Sequence, residues 1–382
     1  MSEKVSILLV MPSGSGQSTE AQETLQGISA QTYPTEFTEV IKVEYMPFEP
    51  GANTSALNAA REQATGSYLV HAHLGVVWDG NKIEQQVISL QANPSASACV
   101  HCMTVRDGSE RNWSLDMADI RRYGPRIGCV LDAPWGPSAA LLKRETVDLL
   151  GVYRNVPEVL WEFAIRFIYG GHELDVLDSD LAVWNVTPSN RPPERPRRLV
   201  PPQVRHPFIK SYLDRIVFGD LLHTGNDSSK SSARLVQAGL YQRIDDLEAC
   251  HAICQEVSRD QPCAEADYLH GIVHRREPDF QNARGWFRKA GGLGMFNEIR
   301  EQVVGYLLRV LQIPDFGKAR DVALEFLRHL EDRKTWDPLY FLELCLHNTQ
   351  NGMPEETRLM EEIQEIEFRV LFDWTYRSAT RD

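Results

Sequence analysis

No stretch of the 382 residues approaches the roughly 20 consecutive apolar residues that a bilayer-spanning helix needs, so the sequence predicts no membrane span. The opening Met1-Ser-Glu-Lys-Val5 runs straight into a short apolar segment, Val5–Met11, without the basic start and cleavage pattern of a signal peptide. The expectation is a cytoplasmic protein. Positive charge is also in short supply: 40 Lys and Arg against 53 Asp and Glu leave a net charge of −13. A nucleic-acid backbone needs a basic face to neutralise its phosphates, so nucleic acid is excluded as a general partner, whereas a local basic pocket for a diphosphate is not. Cysteine is sparse, and its odd count of seven fits a reducing compartment better than a disulfide framework. Cys99-Val-His-Cys102 has redox or zinc spacing, but no second CxxC completes a four-ligand site, which favours buried strand cysteines.

What is present is ordered in two halves. The length exceeds the 100–200 residues usual for one domain, so two are expected. Between Thr187 and Pro207 proline recurs at a density that removes amide donors and fixes φ, which excludes a helix or a sheet interior. The expected organisation is therefore an α/β domain over 1–186, a Pro/Arg-rich linker over 187–207 and an all-helical domain over 208–382. In the first, strand-like runs (Val5–Val10, Glu39–Tyr45, Tyr68–Val77, Ser97–Thr104) alternate with helix-like ones (Glu20–Gln31, Asn53–Ala64, Asn81–Gln91). That alternation predicts right-handed crossovers and a mostly parallel sheet flanked by helices. After the linker, segments from Ile209–Leu222 to Glu355–Phe372 carry three-to-four-residue apolar spacing, which predicts stacked helical hairpins.

Several pieces of the first half share an order with a known family. Val5-Ser-Ile-Leu-Leu-Val-Met-Pro12 is similar to an opening V-S-I-I-I-P strand, and Gly27-Ile-Ser-Ala-Gln-Thr-Tyr-Pro34 to S-L-x-x-Q-T-Y-P. Glu39–Tyr45 resembles a second strand ending in paired acids, and Ala56-Leu-Asn58 with Ala64-Thr-Gly66 an A-R-N and A-x-G helix. Trp135–Arg144 is similar to a strand ending in a basic pair, and Phe163–Arg166 with Gly170-Gly-His172 to a closing R-x-x-x-x-G-H segment. Together they resemble family-two glycosyltransferases. The resemblance implies a GT-A fold and a UDP- or GDP-sugar bound at the carboxyl ends of the first strands, where open α/β sheets bind ligands. It places Pro12, Ser13, Glu44, Asn58 and His73 at the nucleotide, with a sugar or glycan as partner.

The family's chemistry is altered at three places. Carboxylates that would hold a divalent cation against the departing diphosphate are replaced by His73 and Gly75, with Val76 at a third acidic position. Tyr45 takes the second acid of the second strand. The general-base positions fall on Val159 and Leu160, leaving the neighbours Glu158 and Glu162 as candidate catalytic bases. A divalent metal is not expected. His71 and His73, at i and i+2 on one strand face, leave open a zinc or manganese site with Asp79 or Glu44, although substrate-lining polar residues are the favoured reading. Arg121, Arg122, Lys143 and Arg144 are candidates to neutralise a diphosphate, and Ser13–Gly16 to bring amides to a phosphate. The sequence supports either glycosyl transfer with degenerate motifs or a noncatalytic GT-A module carrying a helical interaction domain for a protein partner. A nucleotidyltransferase is disfavoured, because Ser13–Gly16 lacks the Arg and Lys such loops carry.

In the helical half, Gly271, Ala283, Phe287 and Ala290 resemble the small-and-aromatic spacing of one tetratricopeptide hairpin. His270 and His274 share a helix face, but Gly271 stands where a zinc protease has its glutamate. Asp279 reads as a helix cap with Pro278 before it. The alternative is a ligand pocket built from His274, Arg275, Arg276, Asp279 and Trp286.

Overall fold

The computed structural model describes residues 3–45, 50–106, 112–131, 136, 138–156, 158–187, 199–201, 207–313, 317 and 319–381. The chain divides into two compact units, Met1–Glu194 and Arg195–Asp382. The cut falls inside the 187–207 stretch, of which 188–198 and 202–206 lie outside the described residues, as does Trp135.

The first unit is an α/β domain built on one sheet flanked by helices. Its strands are β1 (Val5–Pro12), β2 (Thr38–Tyr45), β3 (Tyr68–His73), β4 (Val76–Trp78), β5 (Ala96–Arg106), β6 (Asn112–Leu115), β7 (Leu141–Lys143) and β8 (Glu173–Asn185). They lie in the order β2-β1-β3-β7-β5-β8-β4, with β6 added to β5. Flanking helices are α1 (Thr19–Ser29), α2 (Pro50–Gln63), α3 (Lys82–Ala92), α4 (Ala118–Tyr123), α5 (Pro125–Leu131), α6 (Arg144–Leu150) and α7 (Val159–Tyr169). The sheet is mixed. Its long ladders are parallel, over 8, 6 and 9 positions, and its antiparallel ones are short, over 3, 3, 4 and 2. The single strand expected over Tyr68–Val77 is two. Gly75 turns the chain at φ +81, and β4 leaves β3 to pair antiparallel with β8 at the other end of the sheet.

β1 is the apolar centre of this unit, and its amino end is tied by polar contacts. Gly66 approaches β1 so closely that a Cβ there would stand 2.7 Å from Lys4 O, Ser6 N and Ser6 Oγ. Its amide donates to Ser6 Oγ at 2.8 Å, and Ser6 Oγ donates to Glu39 Oε1 at 2.5 Å. Glu39 also accepts from Thr65 N at 2.6 Å and pairs with Lys4 at 2.8 Å. Burial pushes the Glu39 carboxyl up, but the bonds from Lys4, Ser6 and Thr65 outweigh it and hold it at about 2. The Gln31-Thr-Tyr-Pro34 segment has the same kind of role. Gln31 Nε2 donates to Asp79 O at 2.7 Å while its Oε1 accepts from Ile83 N at 3.0 Å. Thr32 Oγ1 donates to Glu84 at 2.6 Å, and the Tyr33 hydroxyl donates to Glu3 O.

The second unit is all-helical among its described residues: α8 (Pro207–Leu213), α9 (Phe218–Leu221), α10 (Asp227–Arg243), α11 (Leu247–Asp260), α12 (Ala264–Arg276), α13 (Phe280–Ala290), α14 (Phe296–Val310), α15 (Ala319–Arg333), α16 (Pro338–Asn351) and α17 (Pro354–Thr380). The one helix expected over Ile209–Leu222 is two, because the chain turns after Leu213 and thereby buries Phe218 while Val217 stays exposed. Leu199 belongs to this unit, its amide donating to Glu361 at 3.3 Å. The α12–α13 hairpin closes where expected. A Cβ on Gly271 would sit 2.7 Å from the Phe287 ring, and Ala283, Phe287 and Ala290 are buried. Asp279 caps α13 by accepting from Asn282 N at 3.2 Å.

Arg275 and Arg276 do not line a loop pocket, because α12 continues through both and buries them. Arg276 pairs with Asp245 at 2.5 Å. Arg275 pairs with Glu367 of α17 and donates to Gln364 at 3.3 Å. Tyr268 adds a 2.6 Å bond to Glu367 and accepts one of 2.7 Å from Trp336 Nε1.

Two tests follow from these contacts. Removing one member of a buried ion pair costs about 3–5 kcal/mol, whereas replacing both by apolar groups is often neutral. Arg275→Met or Glu367→Leu alone should therefore destabilise the helical unit by that amount in denaturant titrations, and the double variant by much less. For Glu39 the folded pKa lies below the ordinary value of 4.5, so its contribution is full above that pH and fades as pH falls toward 2. Glu39→Gln should cost about 2 kcal/mol at pH 7, and its melting temperature should converge on that of the wild type as pH falls from about 4.5 to 2.

Candidate functional site

The carboxyl ends of β2, β1 and β3 bring together four of the residues singled out from the sequence. Pro12 ends β1 and Ser13 follows it, exposed. Glu44 stands across from Met11 and Tyr45 across from Pro12 on β2, and His73 across from Val10 on β3. The loop after β1 folds back on itself. Ser15 donates to Pro12 O through its amide at 3.1 Å and its hydroxyl at 2.6 Å, Gly14 adopts φ +81, and Ser18 caps α1 by accepting from Ala21 N at 3.1 Å. Added Cβ atoms at Gly14 and Gly16 would meet nothing within 4 Å, so this loop stands open beside the amino end of α1.

Two histidines define the electrostatics of β3. His73 donates its backbone N–H to Ser138 Oγ at 2.8 Å, and Ser138 is buried at φ +71. The ring Nδ1 of His73 has no partner among the described residues. His71 Nε2 lies 2.9 Å from the Tyr153 hydroxyl. Burial, helped by the neighbouring His73, drives His71 down to about 3, and burial alone drives His73 down to about 4. Both rings are neutral at pH 7, with lone pairs but no charge to set against a diphosphate. No third ligand joins them among the described residues. Asp79 instead accepts from Asn81 N at 3.1 Å, and Glu44 is exposed.

Asn58 lies behind this edge. Its Nδ2 donates to Tyr153 O at 3.0 Å and its Oδ1 accepts from Tyr153 N at 2.8 Å, so both ends of the amide hold the loop that supports His71. The two acidic candidates on α7 part company. Glu162 is buried between arginines, with Arg166 Nη2 at 2.9 Å and Arg154 Nη1 at 3.2 Å. Arg166 in turn donates to Leu150 O and Val152 O. That pair locks the Leu150–Arg154 loop. Glu158 sits at the head of α7 in the left-handed region, φ +57, its carbonyl accepting from Trp161 and Glu162 amides at 2.8 and 3.1 Å. A side-chain-bearing residue pays about 1–2 kcal/mol to adopt that conformation.

The basic candidates are engaged elsewhere. Arg121 pairs with Asp178 and Arg122 stacks on Tyr123. Lys143 donates to Pro94 O at 2.6 Å, and Arg144 pairs with Asp148 at 2.9 Å and donates to Ala64 O. The cysteines Cys99 and Cys102 are free and buried, and burial pushes the Cys99 thiol up to about 11. One buried group escaped the sequence reading. Lys82 on α3 is fully buried, its Nζ 2.8 Å from Gln86 Oε1 and 4.3 Å from the Trp78 ring. Burial brings it down to about 7. Gln86 then donates to Cys99 O and Ala139 O at 2.8 and 2.9 Å. The signal was available: Lys82 and Gln86, four apart, interrupt the apolar face of Ile83, Val87 and Leu90. In the helical unit a cavity of about 260 Å³, walled in part by Ser231, Ser232, Gln261, Cys263 and Glu265, contains no residue of the sheet edge.

No family model matches the sequence, and no curated protein does. Among solved structures, S. aureus TarS is similar at 11% identity and a TM-score of 0.45, over 75% of this chain and 55% of that one. The chain thus spans about half the length of that protein. The 1–349 segment of TarS in complex with UDP-GlcNAc gives 11% identity and a TM-score of 0.49, over 75% of this chain and 90% of the segment. The mannosyltransferase PcManGT from Pyrobaculum calidifontis, in complex with GDP-Man and Mn2+, gives 14% and 0.39, over 76% and 86%. All lie below a TM-score of 0.5, and none carries an argument about the donor, acceptor or activity of this chain.

Proposed function

We propose that the chain is a glycosyltransferase-like protein whose first unit takes a nucleotide sugar, of the UDP or GDP class, at the carboxyl edge of β2, β1 and β3. The observation that carries this reading is the convergence of Pro12, Ser13, Glu44 and His73 at that edge, beside an open loop leading into α1. Amides at a helix start favour phosphate. Neutral His73 replaces a cation-holding carboxylate, so nucleotide binding is independent of a divalent metal at this edge. Glu158, at the head of α7, is the candidate base for sugar transfer, while Glu162 pairs with Arg166 and Arg154.

That commitment also favours a second reading. With one acid engaged and the acidic pair replaced, the unit serves as a noncatalytic binding module for a nucleotide sugar or glycan. The tetratricopeptide-like hairpin of α12 and α13 would then dock a protein partner.

Calorimetric titration of the full chain with UDP, GDP and their sugars, with and without Mn²⁺, tests the binding claim. The expected result is binding that Mn²⁺ leaves unchanged and that His73→Asp renders Mn²⁺-responsive. Binding seen only with Mn²⁺ in the unaltered chain would reject it. Sugar release separates the two readings. Under transfer, Glu158→Gln lowers turnover by about 10²–10⁴-fold without weakening nucleotide binding, whereas a noncatalytic module shows no turnover to lose. Glu162→Gln should instead lower the melting temperature, because it leaves Arg166 buried without its carboxylate.

A further inference from the structure

Three histidines of the helical unit meet in a way that neither the nucleotide site nor the hairpin explains. His270 and His274 lie one turn apart on α12, and His251 comes from the neighbouring α11. The ring centroids are 4.3 Å apart for His251 and His270, 4.8 Å for His270 and His274, and 5.1 Å for His251 and His274. One nitrogen from each lies within 4.8 Å of the others. His270 is 1% exposed, His274 is 7% exposed and His251 is half-buried. Trp286 of α13 covers the cluster, its ring stacked on His270 at 3.9 Å.

The hydrogen bonding is incomplete. Neither ring nitrogen of His270 has a partner among the described residues, and each unmade bond of a buried polar group costs about 1–3 kcal/mol. Packing against Trp286 satisfies the carbon face of that ring and not its nitrogens. His251 Nε2 lies 3.5 Å from Gln255 Nε2, and both nitrogens of His274 have neighbours. Asn282 Nδ2 lies 3.1 Å from His274 Nε2, and the Glu277 carboxylate lies 3.1 Å from His274 Nδ1. A carboxylate beside a ligand histidine fixes the ring and raises its basicity, as metal centres commonly arrange. The neighbouring Lys289 ammonium is paired with Asp267 at 2.8 Å, which offsets its charge near the cluster. Burial keeps His270 neutral, with the assistance of the other two imidazoles.

We propose that His251, His270 and His274 form a binding site for a transition-metal dication of the zinc class, which staples α11 to α12 beneath Trp286. Imidazole nitrogens suit zinc, copper and nickel, whereas the hard cations magnesium and calcium prefer oxygen. A tetrahedral centre with metal–nitrogen bonds of about 2.0–2.1 Å holds its ligand nitrogens roughly 3.3 Å apart. The nitrogens now lie within 4.8 Å of one another, so binding would draw them together by up to about 1.5 Å. Three protein ligands leave a fourth position for water. The site lies in the helical unit and is independent of the sugar-nucleotide reading of the sheet.

The test uses the full chain purified without a histidine tag and stripped of metal with a chelator. Titration with ZnCl₂ should give one equivalent bound and a rise in the melting temperature of the helical unit, while MgCl₂ gives neither. Cobalt substitution should produce a tetrahedral visible spectrum without sulfur-to-metal charge-transfer bands. His251 is half-buried at the edge of the cluster, so His251→Gln preserves the fold, which far-ultraviolet circular dichroism checks. It should weaken zinc by more than the roughly 10–100-fold that loss of an orienting partner costs. Absence of zinc binding in the unaltered chain overturns the proposal. So does equal affinity in His251→Gln, and so does a cobalt spectrum with thiolate bands, which would place the metal on the cysteines of α11 instead.

Discussion

A polar group withdrawn from water has to be bonded within the fold, at a cost of about 1–3 kcal/mol if it is not, and this requirement governs which residues of the chain remain for chemistry. Residues whose types suggest function are mostly occupied by it. Asn58 closes two bonds with the backbone of Tyr153, Glu162 and Arg166 hold the loop that carries Tyr153, and Tyr153 reaches His71 through its hydroxyl. The chain of contacts runs from α2 and α7 to the strand bearing His73. Asn58 and the Glu162–Arg166 pair thus brace the carboxyl edge of the sheet from behind. At the opposite edge Glu39 gathers Lys4, Ser6 and Thr65, and fixes the register of β1 against β2.

In the helical unit the same requirement is met by charge. Arg275 and Glu367 are both essentially without exposure, and neither would be tolerated there alone. Gln364, Tyr268 and Trp336 complete the bonding around them, so the pair sets how α12 meets α17. The histidine cluster of α11 and α12 is the contrasting case, since His270 is buried as deeply and its nitrogens have no partner among the described residues.

Local spacing made much of this architecture legible. Apolar periodicity gave the bounds of α13, and it brought β1, β2, β5 and most other helices close to their observed ends, because each pattern spans a single element. The ordered motifs were legible for a related reason: Gly66 touches β1 and Gln31 joins α1 to α3, so these residues are dictated by close packing. What the sequence could not disclose is pairing at a distance. The Leu74–Gly75 break reads as one strand until β8 claims β4. Arg275 reads as a surface residue until Glu367, 92 positions away, is placed beside it. His270 and His274 display their helix face in the sequence, yet His251 enters only through the packing of α11 on α12. Glu162 looks like a free acid for the same reason.

These constraints narrow the chemistry of the sheet edge. Sugar transfer from a nucleotide develops negative charge on the departing diphosphate, and the usual remedy is a cation held by carboxylates. Here the corresponding strand ends in a neutral imidazole, and the arginines and lysines suggested by sequence are engaged with Asp178, Asp148, Pro94 and Ala64. On the proposed reading, amides at the start of α1 add positive potential to this edge. Amides fixed in this way stabilise a bound diphosphate in the ground state as well as in the transition state. Interactions that are equal in both raise affinity without raising the rate of the chemical step. If the proposed nucleotide sugar binds at this edge, amides of this kind favour holding it over cleaving it, and rapid transfer would need a charged group that strengthens its contact as the bond breaks.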